Sequence, residues 1–239
     1  MYLKKLLPPS WNRFLPLSWI SRCLLCGKPE ITGPFCIQCL QLFSPKTNRS
    51  FCPLCGRPYL VSSQHVCAEC RLAPPPWEKF GFAVFFTGIF KEIIANFKFG
   101  NCFYYLDFLV GLLECGFWEA KLDLPEVIVS VPMSKKEIQK RGFNQSLELA
   151  KLLGKHLNVH VSKQGLSKIK ETQPQRQLSR QERLKNVKNV FVCKNGLRNK
   201  KVLLIDDVLT TGATCKECAR VLKQNKCTVQ VLVLARAVE

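Results

Sequence analysis

From residue 80 onward, apolar and polar positions along the chain follow two rhythms. Phe80 to Phe86 is an aromatic, β-branched run that reads as a strand, and Gly88 to Phe99 carries Ile89, Phe90, Ile93, Ile94 and Phe97 at helical spacing. Val127 to Val131, Lys201 to Ile205 and Thr228 to Leu234 are short, largely apolar runs, the pattern of strands buried on both faces of a parallel sheet. Between them, Ser146 to Leu157 and Thr214 to Leu222 show helical periodicity. Strands that alternate with helices give the α/β class, a parallel sheet flanked by helices. Residues 165–190 are rich in Gln, Lys and Arg and poor in apolar residues, so a mobile loop with some helix toward its end is expected there. The proline-rich stretch Pro74-Pro-Pro-Trp77 marks a boundary. The expected organisation is a lead-in over residues 1–20, a cysteine-rich segment over 21–73 and the α/β domain over 80–239.

The cysteine-rich segment has its own regularity. Eight of the 14 cysteines form four pairs of one form: Cys23/Cys26, Cys36/Cys39, Cys52/Cys55 and Cys67/Cys70. Cys23-Leu-Leu-Cys-Gly-Lys-Pro29 returns as Cys52-Pro-Leu-Cys-Gly-Arg-Pro58, an internal repeat. A Cys-x2-Cys knuckle lets two thiolates from one tight turn reach one ion, and two knuckles close a tetrahedral site with no open position, which is structural Zn²⁺ rather than catalytic. The segment is too poor in apolar residues to form a core without metal. Two connectivities fit: sequential ribbons (Cys23, Cys26, Cys36, Cys39 and then Cys52, Cys55, Cys67, Cys70), favoured by the repeat, or a cross-brace joining the first pair to the third. His65 lies two residues before Cys67, but the four thiolates already complete a site. Cys215 and Cys218 share the spacing within a predicted helix. They read as small buried residues, with a redox dithiol as the other reading.

Charge adds a partner class. The formal net charge is +19, and between Met133 and Lys201 there are 18 Lys+Arg against 4 Asp+Glu. A surplus concentrated in this way points to an anion-binding face and a polyanionic partner. Pro8, Pro9 and Pro16 break the apolar stretch at the N-terminus, so a signal peptide is not expected, and no run reaches the length of a membrane span. Clustered reduced cysteines then place the chain in the cytoplasm, with any membrane association peripheral and through partners.

The stretch Val202-Leu-Leu-Ile-Asp-Asp-Val-Leu-Thr-Thr-Gly-Ala-Thr214 concentrates chemistry. It reads as a buried strand ending at Asp206 and Asp207, followed by a turn of Val208, Leu209, Thr210, Thr211, Gly212, Ala213 and Thr214 that opens a helix. Carboxylates at a strand end accept hydrogen bonds from the vicinal hydroxyls of a ribose. Backbone N–H groups, threonine hydroxyls and a helix N-terminus suit a phosphate dianion. Gly212 allows close backbone approach. These thirteen positions resemble the phosphoribosyl-pyrophosphate (PRPP) fingerprint of type I phosphoribosyltransferases. Val127-Ile-Val-Ser-Val-Pro132 leads into a basic loop; the corresponding loop of those enzymes binds pyrophosphate, and Lys135, Lys136 and Arg141 are suitable cations, although a basic loop by itself also fits a solvated surface.

Taken with the cysteine knuckles, the Arg-Gly-Phe-Asn-Gln stretch at 141–145, Lys98-Phe-Gly100 and the stretch holding Gln175, Arg176, Leu178, Arg180, Glu182, Arg183 and Asn186, the whole chain resembles the ComF family. That resemblance implies a double zinc ribbon joined to a type I phosphoribosyltransferase domain. It also implies a role in natural competence and DNA uptake beside other competence proteins, handling single-stranded DNA in the cytosol with PRPP or a related ligand. It carries over Asp206 and Asp207 as the catalytic pair on the ribose, Mg²⁺ riding on the PRPP oxygens, and cations at 135–141 and 176–183 on the leaving group. Arg141 beside Phe143 offers a cation and a ring for base stacking, the other reading being a ring used in packing. Two other functions fit the same residues: a metabolic phosphoribosyltransferase acting on an amine or nucleobase, and a non-catalytic PRPP sensor. No base-recognition element is legible, so the acceptor is not assigned.

Overall fold

The computed structural model describes residues 23, 28, 29, 36, 38, 50–59, 65–99, 105–172, 182, 186–194 and 196–238. The chain divides into two compact units, Met1–Asn48 and Arg49–Glu239. The second unit holds a short helix α1 (Ala68–Leu72), then β1 (Lys79–Phe85), α2 (Ile89–Phe99), α3 (Leu106–Glu119), β2 (Val127–Ser130), α4 (Lys135–Arg141) and α5 (Gln145–Leu157). It continues through β3 (Leu166–Lys168), β4 (Phe191–Cys193), β5 (Lys201–Leu209), α6 (Ala213–Gln224) and β6 (Thr228–Arg236).

β1, β6, β5 and β2 form one parallel sheet in that order. Val161 pairs with Ile128 beyond the free edge of β2. β5 and β6 are central and almost wholly buried, which explains their continuous apolar runs: both faces are covered by helices. On one face, Val202, Leu204, Val229, Val231 and Val233 share a core with Cys215, Cys218, Ala219 and Leu222 of α6. Alternation turns Leu203, Ile205 and Leu232 to the other face, where α3 and α5 pack on the sheet. There Gly116 brings α3 against β1 so closely that a Cβ would lie 2.8 Å from the Phe82 carbonyl oxygen.

Several boundaries differ from the sequence reading. The strand expected to end at Asp206 and Asp207 runs on through both to Leu209, pairing with β6 as far as Arg236. The basic stretch after β2 is a helix and not a loop. Ser134 and Glu137 form a reciprocal capping box, with Ser134 accepting from Glu137 N–H at 3.2 Å and Glu137 from Ser134 N–H at 2.7 Å. α3 is not among the helices expected from the sequence. The start of the Gln/Lys/Arg-rich stretch forms β3, which pairs antiparallel with β4 just beyond the stretch's end. Residues 173–181 and 183–185, which include Gln175, Arg176, Leu178, Arg180 and Arg183, lie outside the described residues, as do the lead-in and Gly100. Among the described residues no helix is long and apolar enough to cross a membrane.

Candidate functional site

Asp206 and Asp207 are neighbours on β5, so their side chains diverge and meet different partners. Asp206 Oδ1 accepts from Ser146 Oγ at 2.9 Å and from the Asp207 N–H at 2.9 Å, and Oδ2 accepts from the Cys215 thiol at 3.5 Å. Burial, reinforced by the adjacent Asp207 carboxylate, pushes the Asp206 carboxyl up to about 6. Asp207 is ion-paired with Lys98 of α2, Nζ to Oδ2 at 2.9 Å, both side chains largely shielded. The second half of α2 and the first turn of α5 therefore close around the acids, and Gln145 donates to the Lys98 carbonyl at 3.3 Å. Asn144 caps α5 at 3.2 Å and donates to Val131 O at 3.0 Å, fixing Ser146 relative to the end of β2.

Beyond the acids, Val208 and Leu209 finish β5 and Thr210, Thr211 and Gly212 make the turn into α6. Gly212 is left-handed at φ 75°, the conformation that favours glycine. Thr211 Oγ1 accepts from the Ala213 N–H at 3.4 Å, and Lys216 N–H donates to Gly212 O at 2.8 Å, so the helix begins at Ala213, one residue before Thr214. Thr210, Thr211 and Thr214 remain partly exposed.

Lys135 and Lys136 are exposed in the first turn of α4, and Arg141 ends that helix 3.4 Å from Gln145 Oε1. Six helical positions separate Lys135 from Arg141, about 240° around the axis, so the helix does not gather the three cations on one face. Lys168 at the end of β3 pairs with Glu137 at 2.8 Å, and Glu171 accepts from Ser134 at 3.0 Å, holding α4 against the β3 end. Phe143 packs edge-on against Phe97, centroids 5.6 Å apart, so packing occupies the ring considered for base stacking.

The four ligand atoms of Cys52, Cys55, Cys67 and Cys70 lie within 4.8 Å of one another. The structure thus brings the third pair to the fourth, as in the sequential arrangement. Burial and the neighbouring Cys52 and Cys67 push the Cys55 thiol up to about 11. Such a cluster holds its thiolate charge only around a cation, and four cysteine sulfurs at this spacing fit tetrahedral Zn²⁺. His65 stacks on Tyr59 at 4.1 Å, outside this set. Cys26 and Cys39 lie outside the described residues, but the repeat is visible in the backbone. The Cys23 N–H donates to Lys28 O at 2.7 Å, as the Cys52 N–H does to Arg57 O at 2.8 Å. Cys215 and Cys218 are buried in α6.

Residues 12–71 match the double zinc ribbon domain family. The chain is 31% identical over 219 residues to the DNA utilization protein YhgH of Escherichia coli K12, covering 90% of this chain and 96% of that one. It is 34% identical to competence protein F of Haemophilus influenzae, covering 78% and 85%. The chain belongs to the ComF family. Competence protein ComFC of Bacillus subtilis is a more distant ComF relative, 30% identical over 84% of this chain and 82% of its own. An adenine phosphoribosyltransferase from Thermoanaerobacter pseudethanolicus overlaps at a TM-score of 0.37, with 12% identity over 62% of this chain and 86% of that one; an overlap that loose carries no weight.

Sequence reasoning missed Ser146, Cys215 and Arg236 as neighbours of the site. Lys98 was noted only through resemblance, with no role attached. Nothing local marks these residues. Lys98 meets Asp207 and Ser146 meets Asp206 only because the parallel sheet gathers distant segments at the C-terminal ends of its strands.

Proposed function

We propose that this ComF protein binds a phosphorylated ribose, PRPP or a close relative, at the end of β5, and handles single-stranded DNA in natural competence. The observation that carries the ligand reading is the turn from Thr210 to Gly212. It leaves a central strand two residues beyond a pair of carboxylates and enters the N-terminus of α6, in the crevice position that ligands of open α/β sheets occupy. In this reading the threonine hydroxyls and the helix start receive the phosphate, while Asp206 and Asp207 accept from the ribose hydroxyls. Asp207 turns from Lys98 toward the sugar as it binds. Mg²⁺ carried on the pyrophosphate oxygens supplies charge neutralisation, and Lys135, Lys136 and Arg141 lie on the segment that follows β2, available to the leaving group.

The DNA reading rests on charge. Lys135, Lys136, Lys140, Lys163, Lys170 and Lys194 are all exposed within the basic stretch, and a single pyrophosphate needs far fewer cations than that stretch carries. Cations on a polyanion release counterions, so affinity for single-stranded DNA should fall with salt by a log–log slope of about 0.7 per phosphate contacted.

One titration tests both halves: PRPP binding by calorimetry, with and without single-stranded DNA, at two salt concentrations. Micromolar-range PRPP binding that Asp207→Asn abolishes supports the ligand reading, and the absence of PRPP binding sinks it. Salt-independent or absent DNA binding removes the second half. Pyrophosphate release on adding ammonia donors or nucleobases would shift the reading to a metabolic transferase.

A further inference from the structure

The second ribbon does not stand apart from the phosphate loop. Arg236 ends β6 with 4% of its surface exposed, in register with Leu209 of β5 and Phe85 of β1. Its Nε donates to the backbone carbonyl of Cys55 at 2.8 Å, and its Nη1 donates to the carbonyls of Leu209 at 3.1 Å and Thr210 at 2.8 Å. Cys55 therefore has two roles. Its thiol belongs to the four-cysteine cluster and its carbonyl holds the arginine that grips the entry to the loop. Trp77 Nε1 donates to Leu54 O at 2.8 Å in the same knuckle.

The loop's exit is tied to the ribbon as well. Glu69 of α1 accepts from Arg57 at 2.8 Å and faces Lys216 of α6 at 3.6 Å. The loop thus spans two anchors, Arg236 before it and Lys216 after it, and both reach the segment organised by Cys52, Cys55, Cys67 and Cys70. A narrow cleft lined by Arg57, Glu69, Thr210, Thr211, Lys216 and Arg236 separates the two parts.

A guanidinium suits this duty because its planar fork presents donors in several fixed directions, whereas an ammonium concentrates its donors at one point. Buried carbonyls that lose such a donor must find another or move. With zinc absent, nothing ties the sulfurs of Cys52, Cys55, Cys67 and Cys70 together, so the 52–55 turn loses its anchor and Cys55 O is free to leave its place under Arg236.

We propose that Arg236 is a positioning residue through which the second zinc ribbon sets the conformation of the Thr210–Gly212 loop, so that zinc in this ribbon raises the loop's affinity for a phosphoribosyl ligand. The affinity half rests on the ligand reading above; the conformational half does not.

The experiment uses the full chain, zinc-saturated or treated with chelator, and follows amide hydrogen exchange. Zinc removal should speed exchange in peptides covering Thr210 to Thr214 by about tenfold, a typical coupling between sites, while amides of β5 and β6 from Leu203 to Ile205 and Val231 to Leu234 keep their protection. Arg236→Lys at saturating zinc should show the same fast loop with full zinc content and a loop no longer sensitive to chelator. PRPP affinity should follow, about tenfold weaker without zinc in the wild type and zinc-independent in Arg236→Lys. Equal loop exchange with and without zinc overturns the proposal. So does loss of sheet protection in step with the loop, or an Arg236→Lys protein with undiminished zinc sensitivity. Should Arg236→Lys not fold, the wild-type chelation comparison decides alone. Failure of PRPP to bind any form removes the ligand reading and leaves the exchange result standing.

Discussion

Asp206→Asn is expected to stabilise the protein at neutral pH while weakening its hold on a ribose. The carboxyl is raised from an ordinary 3.8 to about 6, first by burial and then by the Asp207 charge next to it. The folded chain therefore binds this proton more tightly than the unfolded chain does. The benefit of the neutral acid is complete below pH 3.8 and disappears as pH rises to about 6. Above that the folded state carries a carboxylate in an unfavourable place, at a cost of about 3 kcal/mol. Asparagine removes the charge and keeps the shape: its oxygen still accepts from Ser146 and from the Asp207 N–H, and its amide faces the Cys215 sulfur. Urea unfolding of both proteins, compared at matched pH so that titration of other groups cancels, should show the variant ahead by about 2–3 kcal/mol at pH 7.5. The gap should close between pH 6 and pH 4, as the wild-type carboxyl itself becomes neutral. A variant less stable at pH 7.5, or a gap that does not change with pH, would refute the reasoning. The accompanying loss of PRPP affinity would mark Asp206 as a residue kept for its task at a cost in stability.

Three further outcomes follow from the same geometry. Lys98→Met leaves Asp207 shielded and unpaired by its lysine, and should cost about 3 kcal/mol in urea unfolding, most of it recovered in the double variant with Asp207→Asn. Gly116→Ala places a Cβ 2.8 Å from Phe82 O and 2.9 Å from its carbon. Because backbone cannot yield as a side chain can, melting should report a loss of about 1–3 kcal/mol. Cys52→Ser should lower zinc content by about one ion per chain in elemental analysis, since each four-thiolate set holds one metal.

How far the fold was legible depended on distance along the chain. The buried strands β1, β5 and β6 and helices α2, α5 and α6 announce themselves by local apolar spacing, and their class by alternation. α4 was equally local. Ser134 and Glu137 stand in the Ser-x-x-Glu spacing of a capping box, but the run of cations between and after them was read as loop. The run of β5 past its acids was hidden because carboxylates are unusual in a central strand. They are tolerated there by partners that arrive from elsewhere, Ser146 from α5 and Lys98 from α2. At the zinc ribbon the spacing told almost everything, because a knuckle is a local structure. The grip of Arg236 on Cys55, across 181 positions, left no trace in either neighbourhood.

β1 is an outer strand of the sheet, and the ribbon lies over its aromatic side. Phe51 stands edge-on to Phe82 at 4.9 Å and to Phe85 at 6.4 Å, while Gly56 comes so close to Phe80 that a methyl group would not fit between them. Anyone trimming the gene to the α/β part by starting at the prolines would uncover a row of phenylalanine rings on an exposed edge, the kind of surface that drives aggregation. Recombinant fragments should begin ahead of residue 49, and the zinc supply of the culture then becomes a lever on yield.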